Sequence, residues 1–335
     1  MNILIVRLGA LGDLVHTVPA AAALRRAFPE AGIDWVVDAK HAPFVELVEG
    51  IDQVVRLEGA SLRAWTGAVR DLRSRQYDAA LDFQGLMKSA VLARSSGARR
   101  VIGFSLWHLR EKGARPFYSA VEGPDAPVHV IGKNLRLLAA VGVASEAIEF
   151  PLAAPASVPR DEVVAEAAGR PIALVNPGAA WPNKRWPAER FGEVCSFLRD
   201  VRGLQPYVVW GPGEEDLARA VSGASNGAAR VAPATEVPDL LALCRAAALM
   251  VSGDTGPLHI AAAAGTPAVG IFGPTDPARN GPWSAADVSV SRYGACRCSY
   301  ARRCRRASPC LGDVTVAEVT AAIQRRLGPG GGAVR

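Results

Sequence analysis

Short apolar runs rich in β-branched residues alternate along the chain with longer stretches in which apolar positions return every three or four residues. That alternation predicts strands and helices in turn from the first residues onward. Asn2 to Arg7 reads as a strand, Leu14 to Phe28 as a helix, Ile33 to Asp38 as a strand and Pro43 to Val48 as a helix. Gln53 to Leu57 and Ala79 to Phe83 read as strands separated by a helix over Leu62 to Arg75. Strands that are apolar along their whole length, with helices between them, imply a parallel sheet covered on both faces.

The pattern lapses from Phe150 to Pro159, where Pro151, Pro155 and Pro159 among small side chains predict an extended connector. Beyond it the alternation restarts. Ile172 to Asn176, Pro206 to Trp210, Leu249 to Ser252 and Ala268 to Phe272 read as strands, and Pro187 to Val201, Leu240 to Ala246 and Pro257 to Ala264 as helices. The expected fold is therefore α/β: two Rossmann-like parallel-sheet domains, residues 1–152 and 153–327, facing across a cleft, with a flexible Gly-rich tail at 328–335.

Of the 335 residues 50% are hydrophobic and 21% charged, which fits two packed domains and excludes a disordered or fibrous chain. Arg25 and Arg26 interrupt one apolar stretch and Arg245 another, so no run reaches the ~20 residues of a membrane span. Met1-Asn2-Ile3-Leu4-Ile5 enters a strand without a basic leader, and a cytoplasmic location is expected. The net charge of +6 is unevenly spread: between Arg63 and Arg115 eleven basic residues face four acidic ones, an excess of seven. Such a stretch suits an anionic substrate, an anionic membrane surface or simply solvent. Aromatic interleaving, zinc-finger spacing and basic heptads are missing, so nucleic acid is not expected as a partner.

Four strand ends carry candidate chemistry. Arg7-Leu8-Gly9-Ala10-Leu11-Gly12-Asp13 is a glycine-bearing turn into a helix, but its Gly-x-x-Gly-Asp spacing is not the dinucleotide fingerprint. Asp13 suits either a helix N-cap or a general base at a place where glycines admit a ligand. Ser252-Gly253-Asp254-Thr255-Gly256-Pro257-Leu258-His259 reads as strand, turn and helix, with Pro257 at the first helical position. Its free N–H groups form an anion site to which Thr255 adds a hydroxyl, and Asp254 suits sugar hydroxyls; alternatively it is a capped turn with His259 packed on the helix. Asn176-Pro177-Gly178-Ala179-Ala180-Trp181-Pro182-Asn183-Lys184-Arg185 brings cations to the same edge, where a leaving pyrophosphate needs its charge offset. Trp210-Gly211-Pro212-Gly213-Glu214-Glu215 supplies carboxylates for ribose hydroxyls or merely an acidic first turn.

The chain has no Asp-x-Asp pair to clamp a diphosphate through a divalent cation, no Gly-x-Ser-x-Gly elbow, no His-Glu-x-x-His and no Walker lysine. Cys296, Cys298, Cys304 and Cys310 lie within 15 residues, in a spacing that is not standard for zinc. Zinc, an iron–sulfur cluster, reduced thiols and an oxidised bridge all stay open for them. Arg292, Arg297, Arg302, Arg303, Arg305 and Arg306 make this segment basic enough to face a membrane.

These motifs resemble the bacterial heptosyltransferases of lipopolysaccharide core assembly, glycosyltransferase family 9, over nearly the whole chain. Ile5-Val6-Arg7-Leu8-Gly9-Ala10-Leu11-Gly12-Asp13 is similar to the family's opening motif, and Ser252 to Ala263 to its donor-binding signature. Tyr77 to Ala90, Arg110-Glu111 and Phe117-Tyr118 look most like heptosyltransferase I, whereas Ala179, Ala180 and the cysteine cluster depart from it. The resemblance implies the GT-B fold, no cofactor and no metal. It also implies an inverting transfer of heptose from ADP-L-glycero-β-D-manno-heptose to Kdo of Kdo-lipid A.

On that footing the N-terminal domain would bind the acceptor, with Asp13 as base and Gly12, Arg63, Lys88 and Arg110 around it. The C-terminal domain would bind the donor through Lys184, Glu215, Asp254, Thr255, Gly256 and His259. Domain closure would exclude water, and the chain would work as a peripheral protein on the inner face of the inner membrane. The alternatives are another family 9 transferase with a different sugar donor or a later core acceptor, and a non-catalytic nucleotide-sugar or glycan-binding protein. An epimerase of similar architecture is a further option, which would convert free nucleotide-sugar without any acceptor.

Overall fold

The structure, a computed structural model, describes residues 1–59, 61–123, 128–304, 306–307 and 309–328. The chain divides into two compact units, Met1–Ala153 and Ala154–Arg335. From residue 329 onward the expected tail lies outside the described residues.

In the first unit β1 (Asn2–Val6), β2 (Gly32–Asp38), β3 (Gln53–Leu57), β4 (Ala79–Asp82), β5 (Arg100–Phe104) and β6 (Ala120–Glu122) form one sheet. The order is β3-β2-β1-β4-β5-β6 and every pairing is parallel. Parallel neighbours need crossovers, supplied by α1 (Leu11–Val15), α2 (Val18–Ala27), α3 (Ala42–Val45), α4 (Leu62–Ser74) and α5 (Met87–Ser95), with α6 (Val130–Leu137) following β6. The strand order reverses between β1 and β4, and a crevice at the carboxyl ends of the strands opens at such a switch point.

The second unit repeats this topology. It contains α7 (Val158–Ala167), β7 (Ile172–Asn176), α8 (Ala188–Asp200), β8 (Gln205–Val208), α9 (Glu215–Ala224), β9 (Arg230–Val231) and α10 (Val237–Ala246). It continues through β10 (Ala247–Gly253), α11 (Gly256–Ala263), β11 (Ala268–Phe272), α12 (Pro277–Asn280), β12 (Val288–Ser291) and α13 (Val316–Leu327). The parallel order β12-β11-β10-β7-β8-β9 puts the reversal between β7 and β10.

Several boundaries shift from the sequence expectation, and two of the shifts have a direct physical cause. The single helix expected over Leu14 to Phe28 is two helices: Pro19 lacks the N–H that would bond back to Val15, so the chain turns at His16-Thr17 and restarts with Pro19 in the first turn of α2. The extended connector ends at Ser157 rather than Pro159, because the Ser157 hydroxyl accepts the Arg160 N–H at 3.1 Å and caps α7. Before that, Pro151 and Ala153 bond to Glu49 and Leu47 and tie the connector's start to the first unit.

Each sheet is sealed by apolar side chains. Ile3, Leu4, Ile5 and Val6 of β1 are fully buried, as the continuous apolar run requires. In the second unit Trp186 and Phe191 meet edge to face at 5.0 Å and pack with Val194, Leu198 and Ile323. The Trp186 indole N–H donates to the Val314 carbonyl at 3.0 Å, and Thr315 caps α13 reciprocally with Glu318. Trp186→Ala is expected to destabilise the second unit by about 3–5 kcal/mol, and Thr315→Ala by about 1 kcal/mol. Urea unfolding followed by circular dichroism checks both magnitudes and their order.

Candidate active site

At the carboxyl end of β1 the backbone passes Gly9, where a Cβ would lie 2.8 Å from the His41 ring, and enters α1. Ala10, not Asp13, is the N-cap of α1, and no side chain caps it. Asp13 stands inside the first turn, where its carboxylate pairs with the Arg7 guanidinium at 2.6 Å. The capping alternative for Asp13 is thus overturned: its oxygen is held by a cation from its own strand end. Arg7 is itself buried and donates to the Phe83 carbonyl.

Asp82, fully buried, organises what holds Arg7. Its Oδ1 accepts the N–H groups of Gln84 and Gly85 at 2.8 and 3.2 Å, and its Oδ2 accepts the hydroxyls of Ser89 at 2.8 Å and Tyr118 at 2.6 Å. Burial pushes its carboxyl above the ordinary range against the pull of these donors. The turn so fixed presents the Phe83 carbonyl to Arg7, and Gln84 Oε1 accepts the Leu8 N–H at 2.8 Å. Neither Arg7 nor Asp82 was singled out from the sequence, since their partners lie as far as 76 positions away.

Because all the strands are parallel, the helices that follow them start at one edge. Gly12 in α1, Arg63 at the start of α4 and Lys88 at the start of α5 share that carboxyl edge with the loop that carries Arg110. Lys88 Nζ is 3.3 Å from Asp38 Oδ1 and 5.9 Å from the Trp65 ring centroid. Arg63 and Arg110 are exposed. The Arg63–Arg115 stretch is not one face, however: α4 runs back along the sheet and carries its cations to the opposite edge. There Arg75 pairs with Asp34 at 3.5 Å and Arg99 with Asp78 at 3.3 Å.

The second unit builds its site where β7 and β10 part. Asn176 Nδ2 donates to Ser252 Oγ and Thr255 Oγ1, each at 3.0 Å, and to the Gly178 carbonyl at 3.2 Å. Gly253 packs closely against the Lys184 loop, since a Cβ there would sit 3.1 Å from the Lys184 carbonyl oxygen. This close approach brings Lys184 to Asp254, with Nζ 2.6 Å from Oδ2 and 3.2 Å from the backbone carbonyl. Asp254 is 6% exposed. Its Oδ2 also accepts the Thr275 hydroxyl at 2.6 Å, and its Oδ1 lies 3.2 Å from His259 Nε2. Burial alone would raise the Asp254 carboxyl, but the His259 hydrogen bond and the Lys184 charge outweigh it and hold the carboxyl well below the usual range.

Thr255 is the N-cap of α11, and its side chain makes no capping bond to that helix. Gly256 occupies the first helical position and Pro257 the second, one later than expected. The carboxylates after β8 divide. Glu214 accepts the Gly211 N–H at 3.3 Å, stands 3.6 Å from Arg185, and fills the space where a Gly178 Cβ would fall. Glu215 instead pairs with Arg219 and lines a cavity of about 690 Å³ with Trp210, Glu162 and Pro233. Thr275 carries no local signal in the sequence, whereas Glu214 belongs to the carboxylate pair after β8 that the sequence marks.

Cys296, Cys298, Cys304 and Cys310 are not joined in disulfides. The Cys298 N–H donates to Cys296 Sγ at 3.4 Å. Burial and the neighbouring Cys296 push the Cys310 thiol up to about 11, whereas the Arg306 N–H lowers that of Cys304. Among the described residues no group of three or more His, Cys, Asp or Glu side chains is arranged to hold a metal ion. Among the same residues no helix is long and apolar enough to cross a membrane.

Residues 65–307 match the family model for glycosyltransferase family 9 (heptosyltransferase). The chain is 29% identical to lipopolysaccharide heptosyltransferase 1 of Pseudomonas aeruginosa, over 91% of this chain and 87% of that protein. It is 26% identical to lipopolysaccharide heptosyltransferase 3 of Escherichia coli, over 82% of this chain and 84% of that one. Among solved structures it is similar to Escherichia coli heptosyltransferase WaaC with ADP, with a TM-score of 0.75, 23% identity and 97% of each chain covered. The two six-stranded parallel sheets are those of the GT-B fold. With the match spanning most of its length, this chain belongs to glycosyltransferase family 9, the heptosyltransferases.

Proposed function

We propose that this protein transfers heptose from ADP-L-glycero-β-D-manno-heptose to Kdo of Kdo-lipid A, inverting the anomeric centre, in lipopolysaccharide inner-core synthesis. The observation that carries this reading is the Lys184–Asp254 pair, set beside the N-terminus of α11, which the Thr255 side chain does not cap, at the β7/β10 switch point. A helix N-terminus with an adjacent ammonium fits a diphosphate leaving group. The likeness to proteins named lipopolysaccharide heptosyltransferase 1 supports the sugar and the first-heptose acceptor. WaaC, similar in fold, has been solved with ADP and with ADP-2-deoxy-2-fluoro heptose, which supports the donor class.

In this mechanism Asp13 takes the proton of the acceptor hydroxyl, whose oxygen bonds to the anomeric carbon as the bond to the β-phosphate oxygen breaks. ADP departs with the electron pair. Arg7 keeps the Asp13 carboxylate oriented. Lys184 has three ammonium protons: Asp254 engages Nζ through its carboxylate and its carbonyl, and the remaining donor capacity is offered to the diphosphate together with the α11 N–H groups and Thr255. Asp254 is enclosed by Lys184, Thr275 and His259, so its part is to orient Lys184 more than to reach the sugar unaided. Glu215 and Trp210 line the cavity suited to the nucleoside. Gly12, Arg63, Lys88 and Arg110 serve the anionic acceptor from the carboxyl edge of the first sheet, which is also the edge that would meet the inner leaflet.

One observation favours a second reading within the family. Ala179 and Ala180 offer no hydroxyls beside the Lys184 loop, and the likeness extends to heptosyltransferase 3, so a later core acceptor is the alternative.

Asp13→Ala is expected to lower kcat by about 10²–10⁴-fold with ADP affinity retained, read by transfer assays on Kdo₂-lipid A beside calorimetry. Loss of ADP binding together with activity would sink the base assignment, and wild-type donor binding without transfer would move the acceptor to a later core sugar. Lys184→Ala should weaken ADP binding at least tenfold, about 1.4 kcal/mol, and also destabilise the fold by leaving Asp254 buried without its cation. The Asp254 carboxyl is lowered by folding, so its contribution to stability is complete above the ordinary aspartate range and is lost as pH falls towards its folded value. Thermal unfolding from pH 7 to pH 3 should therefore steepen below about pH 4 in the wild type and be flatter in Asp254→Asn.

A further inference from the structure

The loop between β5 and β6 holds Trp107 at 93% exposure beside Leu106 at 48%. Single exposed apolar residues are ordinary, but an indole presented almost entirely to solvent from a fixed loop is not. The loop is fixed at both sides of the indole: the His108 N–H bonds to the Ser105 carbonyl at 2.9 Å and the Glu111 N–H to the Gly85 carbonyl at 3.1 Å. Lys133 Nζ donates to the His108 carbonyl at 2.8 Å. Trp107 therefore stands out because the backbone holds it there.

Its surroundings continue the pattern. Arg110 and Lys112 follow within five residues, both exposed. Met87, 39% exposed, meets the same loop, since its N–H donates to Glu111 Oε2 at 2.7 Å and its sulfur lies 2.8 Å from where a Gly113 Cβ would be. The next residue, Lys88, reaches the Trp65 ring, and Trp65 lines a largely apolar groove of about 470 Å³ with Leu62, itself 80% exposed. Apolar side chains with an indole among them, interspersed with cations, form the composition of a surface that seats in the headgroup layer of an anionic bilayer.

We propose that Leu62, Met87, Leu106 and Trp107, flanked by Arg110 and Lys112, form a docking surface for an anionic phospholipid bilayer. The apolar tips enter the interface and the two cations meet lipid phosphates. The surface shares the carboxyl edge that carries Asp13, so docking would present that edge to a lipid-linked acceptor. This last point alone rests on the function proposed above; lipid binding itself needs neither donor nor acceptor.

The test is co-sedimentation of the full chain with phosphatidylcholine vesicles, with and without phosphatidylglycerol. The expected result is sedimentation with the anionic vesicles, reduced by added salt, and about tenfold or more weaker for Trp107→Ser with Leu106→Ser and for Arg110→Glu with Lys112→Glu. Trp107→Ser should still transfer to a deacylated, water-soluble acceptor at the wild-type rate, which separates docking from chemistry. A wild type that stays in the supernatant overturns the proposal, as does a Trp107→Ser, Leu106→Ser variant that sediments like the wild type. Self-association that depends on Trp107, seen by analytical ultracentrifugation without vesicle binding, assigns the patch to a second copy and overturns it equally.

Discussion

The constraint on which this structure depends is that every strand of both sheets runs parallel to its neighbours. Parallel pairing forces each strand to be followed by a crossover, and most crossovers here are helices that begin at the same edge. That edge collects helix N-termini, each with N–H groups lacking a partner within the helix, and glycine-bearing turns that join strand to helix. The chemistry follows from this arrangement: Asp13 follows β1 and Asp254 follows β10, each beside a reversal in strand order. The two units thus present similar scaffolds, and side-chain identity at the strand ends separates a carboxylate held by arginine from a carboxylate that holds a lysine.

The two ion pairs differ in burial, and the difference matters. The Asp13 side chain is 27% exposed, so its carboxylate stays accessible while the buried Arg7 fixes its direction. Asp254 is buried and surrounded by three side chains. A buried carboxylate needs a counter-charge and hydrogen-bond donors, because an unmatched one costs several kcal/mol. Here Lys184 supplies the charge and Thr275 and His259 two further contacts, and the carboxylate becomes a fixed anchor for an ammonium. The exposed Trp107 and Leu106 stand on the loop after β5, at the same carboxyl edge of the first sheet as Asp13.

The β11 span Ala268–Phe272 matches the expected strand because a strand buried on both faces is apolar throughout and cannot be confused with a solvated loop, and the edge strand β3, Gln53–Leu57, matches through its β-branched Val54-Val55 pair and buried Leu57. The helix expected over Leu14 to Phe28 broke at His16-Thr17 since a periodic apolar pattern hides the bond that Pro19 cannot make. Asp13, Asp254 and Thr255 are legible as candidates because they stand next to glycines at strand ends, and Lys184 because it is a cation in the loop after a strand. Asp82 was visible only inside a family-like motif, and its role rests on Tyr118, 36 positions on.

By itself, then, the sequence determined the alternation of strands and helices, the halves joined by a proline-rich connector, and the strand ends where charged residues gather. Those properties are local: a run of apolar residues or a glycine beside an aspartate carries its meaning within a few positions. Only the tertiary structure decided that Asp13 pairs with Arg7 instead of capping its helix, and that the basic stretch parts to opposite edges of its sheet. It also decided that Glu214 rather than Glu215 closes over Gly178, and that Thr275 completes the shell of Asp254. Those facts depend on which distant groups compete for the same oxygen or the same space, and spacing along the chain does not encode that competition.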